Sequence, residues 1–459
     1  MARTDVSYKV VDRQIGLVGG IVLMVGTVIG ISVFLLPGVL IGEVGPSIIL
    51  ALLITAVPMV FSILMLLQLG GAMPVAGGVY VYASRLVGPV WGTLVVWLVI
   101  PAIWAVLLFT ALGFAEFVRV LVDVPAWLLM VGVLLLFMGL NLRGITLVTT
   151  VQLVMVGAII VGFLAFIVPG LFKVEAANYT PWFPEGVSPF ILAVVALFIP
   201  FQGYSMIIEL GEELKDPIRN IPRVLIYGMA LAVLLSVALV VVFVGLDRYD
   251  RLGALGDGGV AEAARYYIAG WAGWAVAVAA ILGAFTTLNA VITSYSRTLM
   301  RAARDNVISP KLAEIHPTTQ VPYWAVLVLS VPPILFVPVN PGPVVLPVFL
   351  ALIILFGGFL SAIALWNLPK RYPDAYHHSI YKLPMPVLKV AAIGSAGSSL
   401  VFWVAVAPQA LPIVAAIVAL GLAGAGYHHF RLRRDGHLRQ RIEHLEPHEA
   451  EVAGVVVDE

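Results

Sequence analysis

The sequence predicts an all-α polytopic membrane protein of about twelve transmembrane helices, and three observations predict it. Of 459 residues, 61% are hydrophobic and only 11% are charged, where a soluble domain carries about a quarter. Soluble surfaces need polar cover whatever the size of the core, so the missing charge points to lipid as the main solvent. The apolar residues also come in runs of about 20, the length that crosses a hydrocarbon core as a helix. Mean hydropathy is accordingly +1.05. A net charge of +1 gives no basic field for nucleic acid. The absence of cysteine removes disulfides and thiolate metal ligands. Nothing in the composition asks for a cofactor or a metal.

Residues 1–14 form a polar tail without the short apolar stretch and cleavage site of a signal peptide. The apolar runs then fall at about 15–42, 47–70, 90–121, 126–141, 146–170, 188–209, 223–245, 271–299, 323–340, 344–367, 387–407 and 410–430. Pro338, Pro341, Pro343 and Pro347 crowd the turn between the ninth and tenth. With residues 1–14 in the cytoplasm, 21 of the 26 Lys and Arg fall on the cytoplasmic side. Only Arg119, Lys173, Arg248, Arg251 and Arg265 fall opposite. The positive-inside bias therefore places both termini in the cytoplasm, in a multi-pass protein of the cell membrane. The tail from Arg431 is rich in Arg, His and Glu and reads as solvated. Its histidines, with His428 and His429, lack the spacing of a metal site.

Two spans carry interruptions near their middles. The first contains Gly26, Gly30 and Ser32, with Pro37 after them; the sixth contains Pro200-Phe-Gln-Gly-Tyr-Ser205. Proline removes a backbone donor and glycine relaxes the helix, so each segment can open locally. In lipid, opening is tolerated only where the freed N–H and C=O groups meet protein, water or a ligand. Glycine and proline are frequent in membrane helices and often serve only packing or kinks. Two interruptions in corresponding positions of two halves point further, to a binding site at the membrane midplane and hence to a transporter. A half-helix N-terminus offers N–H groups to a carboxylate, and unwound carbonyls accept from an ammonium group. Such a site grips a zwitterion with backbone alone.

Five motifs in chain order resemble one family. They are G-T-V-I-G-I-S-V-F-L-L-P (Gly26–Pro37), M-P-V-A-G-G-V-Y-V-Y (Met73–Tyr82), L-N-L-R-G (Leu140–Gly144) with Gln152, F-Q-G-Y-S…E-E-L-K-D-P-I-R-N-I-P-R (Phe201–Arg223) and S-R-T-L-M-R-A-A-R-D-N-V-I-S-P (Ser296–Pro310). Together they resemble the amino acid–polyamine–organocation superfamily, and in particular an amino acid permease. The resemblance implies a leucine-transporter-type five-plus-five inverted repeat with discontinuous helices 1 and 6. The repeats would be 15–170 and 188–367, followed by two helices at 387–430 and a cytoplasmic tail at 431–459. It also implies alternating access to an amino acid held between helices 1 and 6. By position, Gly30, Ile31 and Ser32 would give N–H groups to its carboxylate, and the carbonyls of Val28, Ile199 and Gln202 would take its amino group. Gly203, Tyr204 and Ser205 complete that segment. The family break usually has a small residue between two glycines, where this chain has Gly30-Ile31-Ser32.

Charged residues are absent from the middles of helices 1, 3, 6, 8 and 10; Glu43, Glu116 and Glu209 lie toward helix ends. A pocket with no anion poorly matches a polyamine, and one with no cation poorly matches glutamate. The expected substrate is thus a neutral, apolar or aromatic L-amino acid, with Ile103, Trp104, Leu107, Phe201 and Tyr204 as candidate contacts. Ordinary bundle packing is the competing role for each. The coupling ion is left open between sodium and proton, with exchange without an ion as a third course. Two groups that carry protons in relatives are missing here: helix 5 has no Lys, and Ser205 stands where some relatives are acidic. Thr286, Thr287 and Ser294 offer oxygens suited to sodium, against the plainer role of bonding back to helix carbonyls.

Glu212, Glu213, Lys215, Asp216, Arg219 and Arg223 follow helix 6 and are expected to pair with Arg297, Arg301, Arg304 and Asp305 in a cytoplasmic gate, with Glu213, Lys215, Arg219 and Arg297 its leading members. A solvated charged loop is the alternative, and Asp12 and Arg13, just before helix 1, could join either arrangement. The partners expected are an amino acid and the lipid bilayer, with the chain a monomer or homodimer. An amine or polyamine exchanger on the same scaffold and a non-transporting amino acid sensor are the rival readings. An enzyme needs buried catalytic groups, and all eight histidines fall in loops or at the cytoplasmic end.

Overall fold

The computed structural model describes residues 14–119, 124–198, 200–210, 213–338, 345–379 and 381–434. Asp12, Arg13, Ile199, Glu212, Pro341, Pro343, His437, His444 and His448 lie outside them, as do the side chains of Glu116 and Gln202. Among the described residues the chain is helical almost throughout. In order the helices are α1 (Leu17–Val28), α2 (Ser32–Val44), α3 (Ile48–Ala72), α4 (Gly78–Tyr82), α5 (Pro89–Arg119), α6 (Ala126–Leu142), α7 (Ile145–Gly170), α8 (Val187–Phe198) and α9 (Met206–Glu209). There follow α10 (Pro217–Leu246), α11 (Tyr249–Gly253), α12 (Gly259–Ala263), α13 (Gly270–Arg304), α14 (Tyr323–Phe336), α15 (Val345–Arg371), α16 (Pro373–His378), α17 (Met385–Val406) and α18 (Leu411–Arg434).

Eight described stretches are long and apolar enough to cross a membrane. The first, Leu17–Ala72, contains two of the expected spans. Ala126–Leu142 and Tyr323–Phe336 are shorter apolar helices, and α8 with α9 makes an interrupted one. Each of the twelve runs read from the sequence therefore falls on helix. The fold is that of an all-α polytopic membrane protein. Its outer surface agrees: Leu135, Leu136, Val154 and Val161 are exposed along helix sides. Exposed tryptophans ring both ends, Trp127, Trp182, Trp271 and Trp274 at one and Trp91, Trp324 and Trp366 at the other, as at two lipid–water interfaces.

At the centre α13 packs against α1, α5, α6, α7 and α14. Behind α1 a chain of buried amides joins three helices. Gln152 of α7 donates to the Thr286 carbonyl (3.3 Å) and accepts from Asn289 (2.9 Å), which accepts from Asn141 of α6 (3.2 Å). Thr293 donates to Asn141 at 2.6 Å. Every member is neutral and hydrogen-bonded, so the network fixes α6, α7 and α13 together without burying charge.

Candidate functional site

Both sequence interruptions are breaks in the helix. α1 stops at Val28, where Ile29 leaves helical geometry (φ −85°, ψ 68°) while its N–H donates to Val25 O. α2 begins at Ser32. The backbone amides of Gly30 and Ile31 between them meet no acceptor among the described residues. They sit at the positive end of α2, where an anion is favoured. The second break is a 3-10 turn, Pro200–Ser205, between α8 and α9. Pro200 brings no N–H to continue the ladder.

The two breaks touch. A Cβ on Gly203 would stand 2.7 Å from the Thr27 carbonyl oxygen, so glycine is what lets the turn press against the end of α1. On the other side, a Cβ on Gly30 would meet Thr287 Oγ1 at 2.7 Å. The Ile31 side chain is buried and occupies the space left by Gly113 of α5, where a Cβ would approach its Cδ1 to 3.0 Å. The bulk that departs from the family pattern is thus taken up behind the break, away from its free amides.

One cavity opens beside the second break, enclosing about 890 Å³ of empty space, mouth included. Ser62, Met65 and Leu66 of α3, Val95 and Ile103 of α5, and Phe356 of α15 form much of its wall. Phe198, Tyr204 and Ser205 bring the break itself to it. The Tyr204 side chain lies beside Ser62, and that of Tyr295 beside Ser205. At one end stand Tyr80, Thr298 and Glu209.

Glu209 corrects the sequence reading. It is the last residue of α9, as its place near a helix end suggested, yet it is 2% exposed and its carboxylate faces the cavity. Its oxygens accept from the Thr298 hydroxyl and, at 3.3 Å, from the Val79 N–H. No ion pair reaches it among the described residues. The expectation of a wall without an anion does not hold here, because a helix end can turn inward where the chain then folds across the bundle.

Other expected residues are placed differently. Ile103 lines the cavity, whereas Trp104 points away from it: its indole N–H donates to the Val328 carbonyl of α14 at 3.0 Å. Leu107 and Phe201 are buried in packing and take no part in the wall. Thr286 and Thr287 both donate back to the Gly283 carbonyl, at 2.9 and 3.0 Å. Ser294 lies two turns further along α13, about 10 Å away, beside Thr27 and Met206. The three hydroxyls do not gather into one oxygen cage.

The expected gate divides in two. Glu213 and Arg297 form a buried ion pair at 2.7 Å. Arg219 instead meets Asp216 in solvent at 3.8 Å. Lys215 contributes backbone: its N–H donates to Ile15 O, and Ile15 N–H donates to Glu213 O, both at 2.9 Å. Ile15, just before α1, is thereby laced to the segment Glu213–Lys215. Arg301 and Asp305, expected to pair with the residues after helix 6, instead form a second charged cluster, in which Asp305 accepts from Arg301 (2.8 Å) and from two residues the sequence reading did not include, Arg85 (2.7 Å) and Tyr80. Arg85 reaches it from the π-helical segment Ala83–Val87 that continues α4; Gly77 (φ 86°) precedes α4, and a Cβ there would strike Arg301 at 2.8 Å. Buried charges repay their desolvation only in such well-bonded arrangements.

Comparison with known proteins fits this architecture. The chain is 30% identical over 323 residues to an uncharacterized transporter of Mycobacterium tuberculosis, covering 69% of this chain and 72% of the relative. It is 25% identical to the branched-chain amino acid permease BcaP of Lactococcus lactis subsp. cremoris, covering 83% and 87%. To the serine/threonine exchanger SteT of Bacillus subtilis it is 24% identical, covering 83% and 89%. The amino acid permease family matches residues 19–426, nearly the whole helical bundle, and the chain belongs to that family.

Proposed function

We propose that this protein is a secondary transporter that moves neutral L-amino acids with apolar or aromatic side chains across the cell membrane by alternating access. The observation that carries the reading is the meeting of the two breaks. The free amides of Gly30 and Ile31 lie one turn from the Thr27–Gly203 contact, and both ends of a zwitterion are met by backbone there. In this reading the amides hold the carboxylate, the carbonyls near Val28, Ile199 and Gln202 hold the ammonium, and the mainly apolar wall beside Tyr204 reads the side chain. The printed name of one relative, a branched-chain amino acid permease, supports the substrate class. Both termini lie in the cytoplasm, and the chain works as a monomer or homodimer.

Glu209 favours a second reading, in which the wall carboxylate holds a cationic substrate. Counterflow in proteoliposomes separates the two. Labelled leucine and phenylalanine are expected to exchange saturably, and putrescine not at all. Saturable exchange of putrescine without leucine or phenylalanine would sink the neutral-substrate reading in favour of the amine one.

A further inference from the structure

We propose that Glu209 is the proton-binding group of a proton-coupled cycle, carrying one proton inward with each neutral amino acid. The inference rests on the transport reading above. Its basis is a carboxylate placed inside the bundle, open to the cavity and left without a counter-charge. An uncompensated charge at such a place is costly, and groups kept there mark function.

The surroundings show what can neutralise it. From α13, Tyr295 and Thr298 face it, while Arg297 of the same helix is held by Glu213 and Arg301 by Asp305. From α4, Tyr82 faces it, and Tyr80 gives its hydroxyl to Asp305. α1 carries no titratable side chain. α10 bears Arg219, which meets Asp216 in solvent, and Arg223 and Tyr227, neither in contact with it. Its charged neighbours are therefore spoken for.

A proton suits the position better than an ammonium group. Both residues fixed on the carboxylate donate to it, whereas an ammonium brings three donors and needs three acceptors. Glu209 also lies six residues beyond Gly203, about 10 Å along the chain, too far to touch an amino group held at the breaks. Protonation needs only one local change: the new O–H donates to Thr298, whose hydroxyl turns from donor to acceptor, while the other oxygen keeps the Val79 N–H. The proton comes from water on the outer side and leaves to the cytoplasm. With a zwitterion aboard, each cycle moves one positive charge.

The test uses the full chain in liposomes loaded with a pH-sensitive dye. Adding leucine outside is expected to acidify the lumen, and an inward gradient of one pH unit to support about tenfold accumulation. Glu209→Gln is expected to lose both acidification and accumulation. A wild type that exchanges leucine without acidifying the lumen overturns the proposal, and that measurement needs no variant. Gradient-driven accumulation by Glu209→Gln overturns it equally. A wild type that exchanges no leucine fails the transport reading instead.

Discussion

Glu209 and Glu213 stand four residues apart, the first closing α9 and the second beyond it, and both are buried. Glu213 is held at 2.7 Å by Arg297 of α13. Glu209 meets the same helix through the hydroxyl of Thr298, one residue further on, and faces a cavity. One acid is closed by a permanent cation; the other is bound only by neutral donors. A buried carboxylate can thus serve as a fixed tie or as an exchangeable site, and its partner on the facing helix decides which.

The largest effect should come from breaking the tie. Arg297→Met takes from Glu213 the buried cation 2.7 Å away, and Glu213→Gln takes the carboxylate from Arg297. Each single change is expected to cost about 3–5 kcal/mol, because the remaining charge stays buried. The double variant should recover most of that, since both desolvation costs disappear together. Unfolding in detergent, followed by loss of helical signal, measures all three. Single variants within about 1 kcal/mol of wild type, the scale of an exposed pair, would mean that the pair is solvated and contributes little.

The same substitution at Glu209 is expected to be nearly neutral for stability. A glutamine keeps its carbonyl on the Val79 N–H and turns its amide toward the Thr298 oxygen, so both contacts survive while no cation is orphaned. The expected change is within about 1 kcal/mol of wild type. A loss as large as that of Glu213→Gln would reveal a cation on Glu209 and erase the contrast.

How much of this was legible in the sequence depends on what each feature needs. The spans need only length and hydropathy, so twelve apolar runs lie on helix. The breaks at Gly30 and Pro200 need only backbone chemistry that glycine and proline announce. The facing of side chains needs neighbours, and there the reading stops short. Ile103 and Trp104 are equally plausible wall residues until α14 offers Trp104 a carbonyl. Thr287 and Ser294 share a helix, yet two turns separate them. Glu209 looks peripheral because one turn from a helix end is ordinarily near water; only the packing of α4 and α13 around it makes it internal. Asp305 is expected beside the residues that follow helix 6, but its pairing with Arg85 and Tyr80, more than 200 residues away, gives no signal.

A third carboxylate calibrates the other two and should show the smallest effect. Asp247 follows α10, outside the membrane-spanning segments, and accepts from the Tyr267 hydroxyl and from the Arg248 N–H at 2.7 Å, with Arg251 at 3.5 Å. Partial burial pushes its carboxyl up, but the Tyr267 and Arg248 donors and the Arg251 charge outweigh that and hold it below the usual carboxylate range. Burial, and then the same contact with Asp247, pushes the Tyr267 phenol up to about 12. A carboxyl lowered on folding stabilises the protein fully above its unfolded value, and that stabilisation is lost as pH falls through the lower folded value. Asp247→Asn should therefore cost about 1 kcal/mol or less near neutrality, the scale of a solvent-screened pair. The difference from wild type should shrink on acidification, once the wild-type carboxyl is itself protonated. A cost at neutral pH that matches Glu213→Gln would show that solvent does not screen this cluster, and position relative to the bundle would no longer explain why one acid is a tie and another a site.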